Sequence, residues 1–294
     1  MKIAGTVILY HPGKYLLENI QSYLDSIDKL YVIDNTETPL PEIKTQCSNL
    51  KNTVYLHDGK NKGIAARLNQ VSKMALNEGY DWLLTMDQDS SFQKGSCSEY
   101  LNCFSVFEKK HNISMFGISF LEQLAEPISC NAVPVHDLIT SGSLVNLNLI
   151  KTIGYFDENL FIDEVDFEYC LRSVHLGFRI IQFTNIFLNH NLGSISYHRS
   201  FKTSKISSRT LHNPVRLYYM TRNFLYVQSK YRNVFNRDID IKRKSLLNRF
   251  KNNILYNKQR FSVIKNILKG LSDYRNNRMG QLQYKSADKK NTFT

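Results

Sequence analysis

Short apolar runs alternate with amphipathic segments along the first third of the chain. Runs typical of buried strands cover residues 6–10, 30–33, 54–56 and 82–86. Helical spacing of apolar residues between them predicts one helix on Leu16, Ile20, Tyr23, Leu24 and Ile27, and a second from about Gly63 on Ile64, Leu68, Val71 and Ala75. Strands that alternate with helices predict an α/β fold built on a largely parallel sheet.

The pattern changes further along the chain. Residues 115–120 and 138–145 are predicted to be extended, residues 165–176 to form a helix that Gly177 ends, and residues 178–183 to form another strand. After His198 the apolar positions fit basic, aromatic helices, such as residues 214–230 and 242–269. We find no internal repeat.

Charge divides the chain at about the same place. Residues 1–195 hold 15 Lys and Arg against 22 Asp and Glu, whereas residues 196–294 hold 23 against 4. A chain of 294 residues can form one large α/β domain with an appended piece. We therefore predict an acidic α/β domain over residues 1–195 and a basic helical region over residues 196–294 that contacts polyanions such as lipid headgroups, nucleic acid or a phosphate-bearing substrate.

The cysteines and the hydropathy of the chain indicate the cellular compartment in which the protein is expected. The five cysteines are spread along the chain without a CxxC pair, which favours free thiols in a reducing cytoplasm. The N-terminal apolar run stops at His11-Pro12 and is too short for a signal peptide. Since no stretch approaches the roughly 18 apolar residues of a membrane span, any membrane contact is predicted to be peripheral.

Polar side chains follow three of the predicted strands: His11, Asp34, and the pair Asp87 and Asp89. Ligands gather at the carboxyl ends of parallel strands, so these positions are candidate binding residues. Two carboxylates one residue apart can bind Mg²⁺ or Mn²⁺ that bridges a diphosphate. The same spacing recurs in residues 238–240 within a predicted basic helix, so the position at a strand end distinguishes the first pair.

Three further segments have both a structural and a functional interpretation. Four carboxylates at the start of the helix of residues 165–176 can serve as capping charges, but Asp163 or Asp166, if partly desolvated, can act as a general base. His190 follows the next strand and is either structural or a metal ligand. Residues 61–69 are an ordinary helix start or a segment whose small residues admit a nucleotide.

Taken in order, these segments resemble the inverting family 2 glycosyltransferases of the GT-A fold. The matching stretches are residues 7–10, 31–35, 61–69, 87–89, 140–143, 154–157 and 166–172. The bacterial rhamnosyltransferases of polysaccharide and O-antigen synthesis are the most similar subgroup, on residues 160–163, 166–172, 212–219 and 222–223. The resemblance covers the chain to about residue 230.

This resemblance implies a Rossmann-like, mixed but mostly parallel sheet flanked by helices, which makes residues 1–195 a nucleotide-sugar-binding catalytic domain. Residues 196–294 are then a basic helical extension that contacts the acceptor or the membrane. It implies that Asp34 contacts the nucleoside of the donor, that Asp87 and Asp89 serve the diphosphate with Mg²⁺ or Mn²⁺, and that Asp166 is the base, with Asp163 as the alternative. His190 completes the predicted metal site. The predicted donor-binding set also includes Tyr10, His11, Asn61, Gly63, Arg67, Gly142, Glu168 and Arg172.

The function implied is inverting transfer of a sugar, L-rhamnose from dTDP-rhamnose, to a polysaccharide or lipid-linked glycan acceptor. We expect a cytoplasmic protein at the inner face of the membrane, with Leu246, Leu247, Phe250, Ile254 and Leu255 as an interfacial helix. The alternative for this segment is a solvated basic helix or a contact within a homo-oligomer. Galactofuranosyl or other hexosyl transfer, a nucleotidyltransferase, and a nucleic-acid-binding protein acting through the basic segment are the alternatives. The nucleic-acid-binding alternative leaves the acidic residues of the region 1–195 unexplained.

Overall fold

The structure, a computed structural model, describes residues 1–120, 130–190, 195–199 and 206–283. Its strands, numbered in chain order, are β1 (Ile3–Leu9), β2 (Lys29–Asp34), β3 (Thr53–His57), β4 (Trp82–Asp87), β5 (Ser90–Phe92), β6 (Ile113–Ser119), β7 (Ala132–Pro134), β8 (Ser143–Asn146), β9 (Arg179–His190), β10 (Ile195–Arg199) and β11 (Ile206–Thr210). The helices are α1 (Leu16–Leu24), α2 (Pro41–Ser48), α3 (Ile64–Asn77), α4 (Ser96–Val106), α5 (Ile150–Ile153), α6 (Val165–His175), α7 (Pro214–Tyr231), α8 (Asn236–Tyr256) and α9 (Arg260–Arg275).

The central sheet has the strand order β3-β2-β1-β4-β8-β6-β9-β5, with β7 paired to β9. The four strands from β3 to β4 are parallel, β8 runs antiparallel to both its neighbours, and β6 and β9 are parallel. Every residue of β1 is buried, as expected of a strand covered by helices on both faces. The predicted mixed α/β fold is confirmed.

Strand register places the predicted site residues along one edge of this sheet. Leu9 at the end of β1 pairs with Asp34 on β2, and its neighbour Ile8 pairs with Asp87 on β4. The three strands therefore end side by side. Polar residues that are far apart in the sequence reach the same edge because parallel strands share their direction.

Packing does not follow the predicted boundary at residue 195. One large apolar core joins residues of the sheet and α3 to Leu217, Phe224 and Val227 of α7 and to Val263 of α9. The charge of the chain changes at the boundary, but the apolar faces of the C-terminal helices are buried against the first region. The two predicted regions thus share one core.

Two predicted elements differ in extent. Residues 242–269 are not one helix, because the chain breaks between α8 and α9, where the Asn257 side chain donates to the His212 carbonyl oxygen (2.9 Å) and accepts from the Gln259 N–H (2.9 Å). Of residues 138–145, only the end from Ser143 is a strand. Leu138 is buried close against Gly117, where a Cβ atom would lie 2.7 Å from it.

The expectation of free thiols is wrong for two cysteines. Cys103 on α4 forms a disulfide with Cys130, 27 residues along the chain. Spacing in the sequence does not reveal this pair, because tertiary folding brings the two residues together. Cys47, Cys97 and Cys170 are free and buried.

Candidate active site

The Asp87-Gln88-Asp89 turn is fastened to the end of β1 by its middle residue. The Gln88 carboxamide accepts a hydrogen bond from the Tyr10 N–H (2.8 Å) and donates one to the Tyr10 carbonyl oxygen (3.0 Å). The Asp87 N–H donates to the Ser141 hydroxyl (3.2 Å). These contacts fix the position from which both carboxylates project.

Three acidic side chains converge at this turn. Burial, together with the nearby charges of Asp89 and Asp166, raises the pKa of Asp87 to about 7. Burial also raises the pKa of Asp166. The carboxylates at the end of β4 and at the start of α6 therefore lie within electrostatic reach of one another, as the resemblance implies.

This concentration of negative charge fits a divalent cation. Within residues 1–120, 130–190, 195–199 and 206–283, no group of three or more His, Cys, Asp or Glu side chains is arranged to hold a metal by itself. Mg²⁺ is commonly bound by one or two carboxylates together with substrate phosphates and water, so Asp87 and Asp89 are the residues that could hold such an ion. His190 ends β9 opposite Ser90, and its side chain lies outside the described part of the structure.

The turn that leads into α6 has an unusual backbone. Asp163 and Glu164 both have positive φ angles, 61° and 64°, which are costly for residues other than glycine. The buried Asn223 of α7 donates to the carbonyl oxygens of Ile162 (2.7 Å) and Asp163 (3.1 Å). Helix α7 thus stabilises the turn that carries Asp166.

The two candidate bases differ in their surroundings. The Asp163 carboxylate accepts two hydrogen bonds from the Arg216 guanidinium, both 3.2 Å long, and forms a salt bridge with it. Asp166 accepts a hydrogen bond from the Phe167 N–H (2.8 Å) and lies near Asp87. The Asp163 carboxylate is therefore engaged in an ion pair, whereas no cation pairs with Asp166 among the described residues.

Replacing Asn223 by alanine should lower the turnover number by about 10- to 100-fold with little change in the Michaelis constant for the donor. The reason is that small displacements of a catalytic group cost rate rather than binding. Steady-state kinetics on purified variants would measure both constants. Asn266→Ala is the matched control, because the Asn266 side chain bonds only to Ser262 within its own helix. An unchanged turnover number for Asn223→Ala would show that the turn does not need this contact.

Polar side chains of β2 and α3 form the other half of the sheet edge. Both oxygens of Asp34 are engaged inside the protein, with the Thr36 N–H (2.9 Å) and the Tyr55 hydroxyl (2.6 Å). The adjacent Asn35 donates to Asn61 (2.7 Å). The predicted nucleoside contact at Asp34 therefore lies next to an amide pair in which Asn35 is buried and Asn61 is partly exposed.

His11 and Tyr10 lie at the same edge. The exposed His11 has a positive φ angle of 46°, and its N–H donates to the Thr36 hydroxyl (3.0 Å). Burial and the charge of Glu37 raise the pKa of Tyr10, whereas a hydrogen bond with Asn61 lowers it. Tyr10 and Asn61, both predicted to bind the donor, thus lie together.

Arg67 is buried and organises the loop after β3. Its guanidinium pairs with both oxygens of Asp58 (2.6 and 3.1 Å) and donates to Asn35 (2.9 Å) and the Lys60 carbonyl oxygen (2.6 Å). The Arg67 guanidinium therefore makes its hydrogen bonds to other groups of the protein. The structure places Arg67 behind the predicted donor site, where it positions Asn35.

Gly63 brings the start of α3 against the segment that precedes the acidic turn. It has a φ angle of 81°, and a Cβ atom there would collide with the Phe161 carbonyl oxygen and ring. The Ile64 N–H donates to the same carbonyl oxygen (2.8 Å). Glycine at this position lets residues 61–63 and 161–164 approach each other.

Three other predicted donor-binding residues are engaged inside the protein. The fully buried Glu168 bonds with Arg172 (2.9 Å), Lys230 (2.8 Å) and the Tyr231 hydroxyl (2.8 Å). Arg172 also donates to the carbonyl oxygens of Ile153 and Tyr155. Gly142 has a φ angle of 74°, lies against Ile118 and Leu188, and donates to Thr85. These contacts hold α6, α7 and the end of β4 in place.

Glu164 gives the protein a testable dependence on pH. Burial raises the pKa of Glu164 to about 7, although the Lys242 ammonium 3.7 Å away opposes this shift. Between pH 5 and 7 the folded state keeps a proton that the unfolded state releases, so stability falls as pH rises, by up to about 1.4 kcal/mol per pH unit for each such carboxyl. Glu164→Gln should flatten the decline in melting temperature measured from pH 5 to 8 without divalent cations. Parallel curves for the two proteins would contradict this assignment.

Three residues of the site were not predicted to act there. Gln88 occupies the middle of the Asp-x-Asp pair, Arg216 neutralises Asp163, and Asn223 stabilises the turn. Arg216 and Asn223 belong to stretches that carry the family resemblance, which was the available signal. Hydropathy alone could not have shown that α7 contacts the turn.

The sequence of the chain is similar to that of a known protein. The chain is similar to the dTDP-rhamnosyl transferase RfbF of Shigella flexneri, with 25% identity over 244 residues that cover 75% of this chain and 78% of RfbF. No family model matches the chain.

Solved structures with the same fold have low sequence identity. The S. aureus TarS 1-349 structure in complex with UDP-GlcNAc has a TM-score of 0.56 and 18% identity, and the match covers 93% of this chain and 80% of that one. The chain spans 48% of a longer TarS structure. GalNAc-T7 with UDP, GalNAc and Mn²⁺ has a TM-score of 0.52 and 10% identity, covering 64% of this chain and 43% of that one.

Proposed function

Starting from the premise that this chain is a rhamnosyltransferase-like glycosyltransferase with the GT-A fold, we propose that it transfers L-rhamnose from dTDP-L-rhamnose to a hydroxyl group of a cell-surface glycan precursor. The similarity to RfbF supports this choice of donor. Galactofuranose or another hexose is the alternative sugar, to be distinguished by assay.

In the proposed reaction Asp166 takes the proton of the acceptor hydroxyl as its oxygen attacks the anomeric carbon. The bond from that carbon to the diphosphate breaks, and the configuration inverts. The raised pKa of Asp166 suits a base that must accept a proton near neutral pH. Asp87 and Asp89 would hold the metal ion, and Arg216 lies close enough to both carboxylates to add positive charge there. A bound Mg²⁺ or Mn²⁺ would neutralise the departing diphosphate.

The convergence of Asp87, Asp89 and Asp166 is the observation that carries this proposal. It is tested by incubating the protein with a panel of nucleotide sugars and measuring release of nucleoside diphosphate with and without Mn²⁺. We expect the largest metal-dependent release from dTDP-L-rhamnose. Pyrophosphate release would indicate a nucleotidyltransferase, and release from another donor would reassign the sugar.

A basic surface beside Asp163 supports an acceptor that bears phosphate, such as a lipid-linked saccharide. Burial, together with the charges of Arg216 and Arg249, lowers the pKa of His212 to about 4. Arg249 is exposed, and no carboxylate pairs with it among the described residues. Its guanidinium is therefore available to an anionic group on this surface.

Membrane contact is proposed through α9. Of the residues predicted to form an interfacial face on α8, Leu246, Phe250 and Ile254 pack against the core, whereas Leu247 and Leu255 are exposed. On α9, Phe261 (81% exposed) and Leu268 (59% exposed) lie seven residues apart on one face. Lys258, Arg260 and Lys265 supply positive charge around them. Of the described helices, none combines the length and apolar character needed to cross a bilayer.

Flotation with vesicles containing about one third phosphatidylglycerol tests this contact. The unmodified protein should float at moderate salt, and the double variant Phe261→Gln, Leu268→Gln should remain at the bottom. Val106→Gln, at an exposed apolar residue of α4, is the control and should float. If the unmodified protein does not float, the proposed membrane contact is wrong.

Nucleic-acid binding remains the alternative use of the basic segment. A mobility-shift titration with salt distinguishes it, because affinity for phosphate backbones falls steeply as salt rises. We expect no shift at moderate salt, since the acidic sheet edge would repel a polyanion near the cleft.

A further inference from the structure

The chain turns back toward the cleft after α9. The Arg278 carbonyl oxygen accepts a hydrogen bond from Arg222 (3.3 Å), and the Gly280 N–H donates to the Asn159 carbonyl oxygen (2.9 Å). The Leu282 N–H donates to the Tyr219 hydroxyl (2.8 Å). These three bonds join residues 278–282, here named the C-terminal strap, to α7 and to the loop before α6.

An apolar anchor holds the strap in place. The Leu282 side chain is buried in a cluster with Tyr218 and Tyr219, against which Phe161 and Ile162 pack. The Phe161 ring stacks on that of Tyr219 with their centroids 5.3 Å apart. Phe161 also contacts Gly63 at the start of α3. The strap and the start of α3 therefore pack against the same aromatic residue.

A cavity of about 520 Å³ lies beside this anchor. Its lining includes Gln281 of the strap together with Glu37, Asn61, Lys62, Glu158 and Phe161. Residues from the loops after β2 and β3 thus share a cavity with the C-terminal strap. Successive side chains of the strap point in different directions. Leu282 is buried and anchors the strap, whereas Gln281 is exposed to the cavity.

The position of the cavity along the sheet edge indicates which part of a nucleotide sugar it could bind. Asp87 and Asp89 follow β4, where the diphosphate is proposed to bind, whereas β2 and β3 are the strands on the far side of β1. A nucleotide sugar whose diphosphate lies at β4 can extend its nucleoside toward Asn61, which bonds with Asn35 and Tyr10. A carboxamide both donates and accepts, as the polar edge of a pyrimidine or a ribose hydroxyl requires.

We propose that Gln281 binds the nucleoside part of the donor, so that the C-terminal strap is a wall of the nucleotide site. This assignment rests on the proposed function. It extends the donor site beyond residues 61–69 and the strand ends to a segment that the family resemblance does not reach. One hydrogen bond to a neutral group contributes about 0.5–1.5 kcal/mol, which corresponds to roughly 2- to 12-fold in affinity.

Titration calorimetry with dTDP on the full chain tests the proposal. Gln281→Ala should raise the dissociation constant about 5- to 10-fold and raise the Michaelis constant for the donor similarly, with the turnover number and melting temperature unchanged. Gln283→Ala is the matched control, since Gln283 is exposed and is not part of the cavity lining, and should bind dTDP as the unmodified protein does. Leu282→Ala should weaken binding and also lower the melting temperature.

The outcomes separate this inference from the proposed function. If the unmodified protein binds dTDP and Gln281→Ala binds it within twofold as tightly, the assignment of Gln281 is wrong while the proposed function stands. If only Leu282→Ala weakens binding, the strap is a structural support and Gln281 makes no contact. If the unmodified protein binds neither dTDP nor UDP, the proposed function fails, and the inference fails with it.

Discussion

Replacing Asp166 by asparagine should lower the turnover number by about 10²- to 10⁴-fold, the range that general-base catalysis contributes. Asparagine has nearly the same shape, so the fold and the dissociation constant for dTDP should stay close to those of the unmodified protein. Transfer would be measured as acceptor-dependent release of dTDP, and binding by calorimetry. The variant isolates the proton transfer because its amide cannot accept a proton near neutral pH.

Asp163→Asn is the informative comparison for this result. Asp163 is paired with Arg216, so its replacement should disturb the turn and lower the rate less than Asp166→Asn does. If the Asp163 variant lost more activity than the Asp166 variant, the roles of the two carboxylates would have to be exchanged.

Replacing Asp89 by asparagine should raise the Mn²⁺ concentration needed for half-maximal rate by about 100-fold, since metal stabilisation of the leaving group is worth several kcal/mol. The measurement is the rate of dTDP release against Mn²⁺ concentration at saturating donor. Asp240→Asn offers a matched control, because Asp240 belongs to a pair with the same spacing but lies in α8, where it bonds with Arg243. Equal metal requirements for the Asp89 and Asp240 variants would exclude Asp89 as a ligand.

Sequence patterns predicted the parts of the fold that depend on local hydropathy. The buried runs at β1, β2 and β4 lack any alternation with polar residues, and the carboxyl end of each could be located from the first polar residue after it. Parallel order then placed His11, Asp34 and Asp87 at one edge. The helix of residues 165–176 was also predicted nearly to its ends.

Long-range contacts could not be read from the sequence. The bond between Asn223 and the turn at Asp163 joins residues 60 apart, and the Cys103–Cys130 disulfide joins residues 27 apart. The change in net charge near residue 195 suggested a separate region, because most Lys and Arg side chains face solvent and dominate the net charge. Packing depends instead on the buried residues of α7, whose apolar character does not reflect this change in charge.

Burial of the predicted site residues could not be read from the resemblance. Asp34, Arg67 and Glu168 match the family resemblance, and each is buried and bonded inside the protein. Arg67 also donates to the side chain of Asn35. The partners in these bonds lie elsewhere in the sequence, so hydropathy and motif spacing do not reveal them.

A crystal structure of the protein with Mn²⁺ and dTDP, with anomalous scattering measured near the manganese edge, tests whether Asp87, Asp89 and Asp166 form one site. We expect one anomalous peak at bonding distance from a carboxylate of Asp87 or Asp89 and from diphosphate oxygens, with Asp166 facing the same space. A peak elsewhere, or a diphosphate bound away from Asp166, would contradict it.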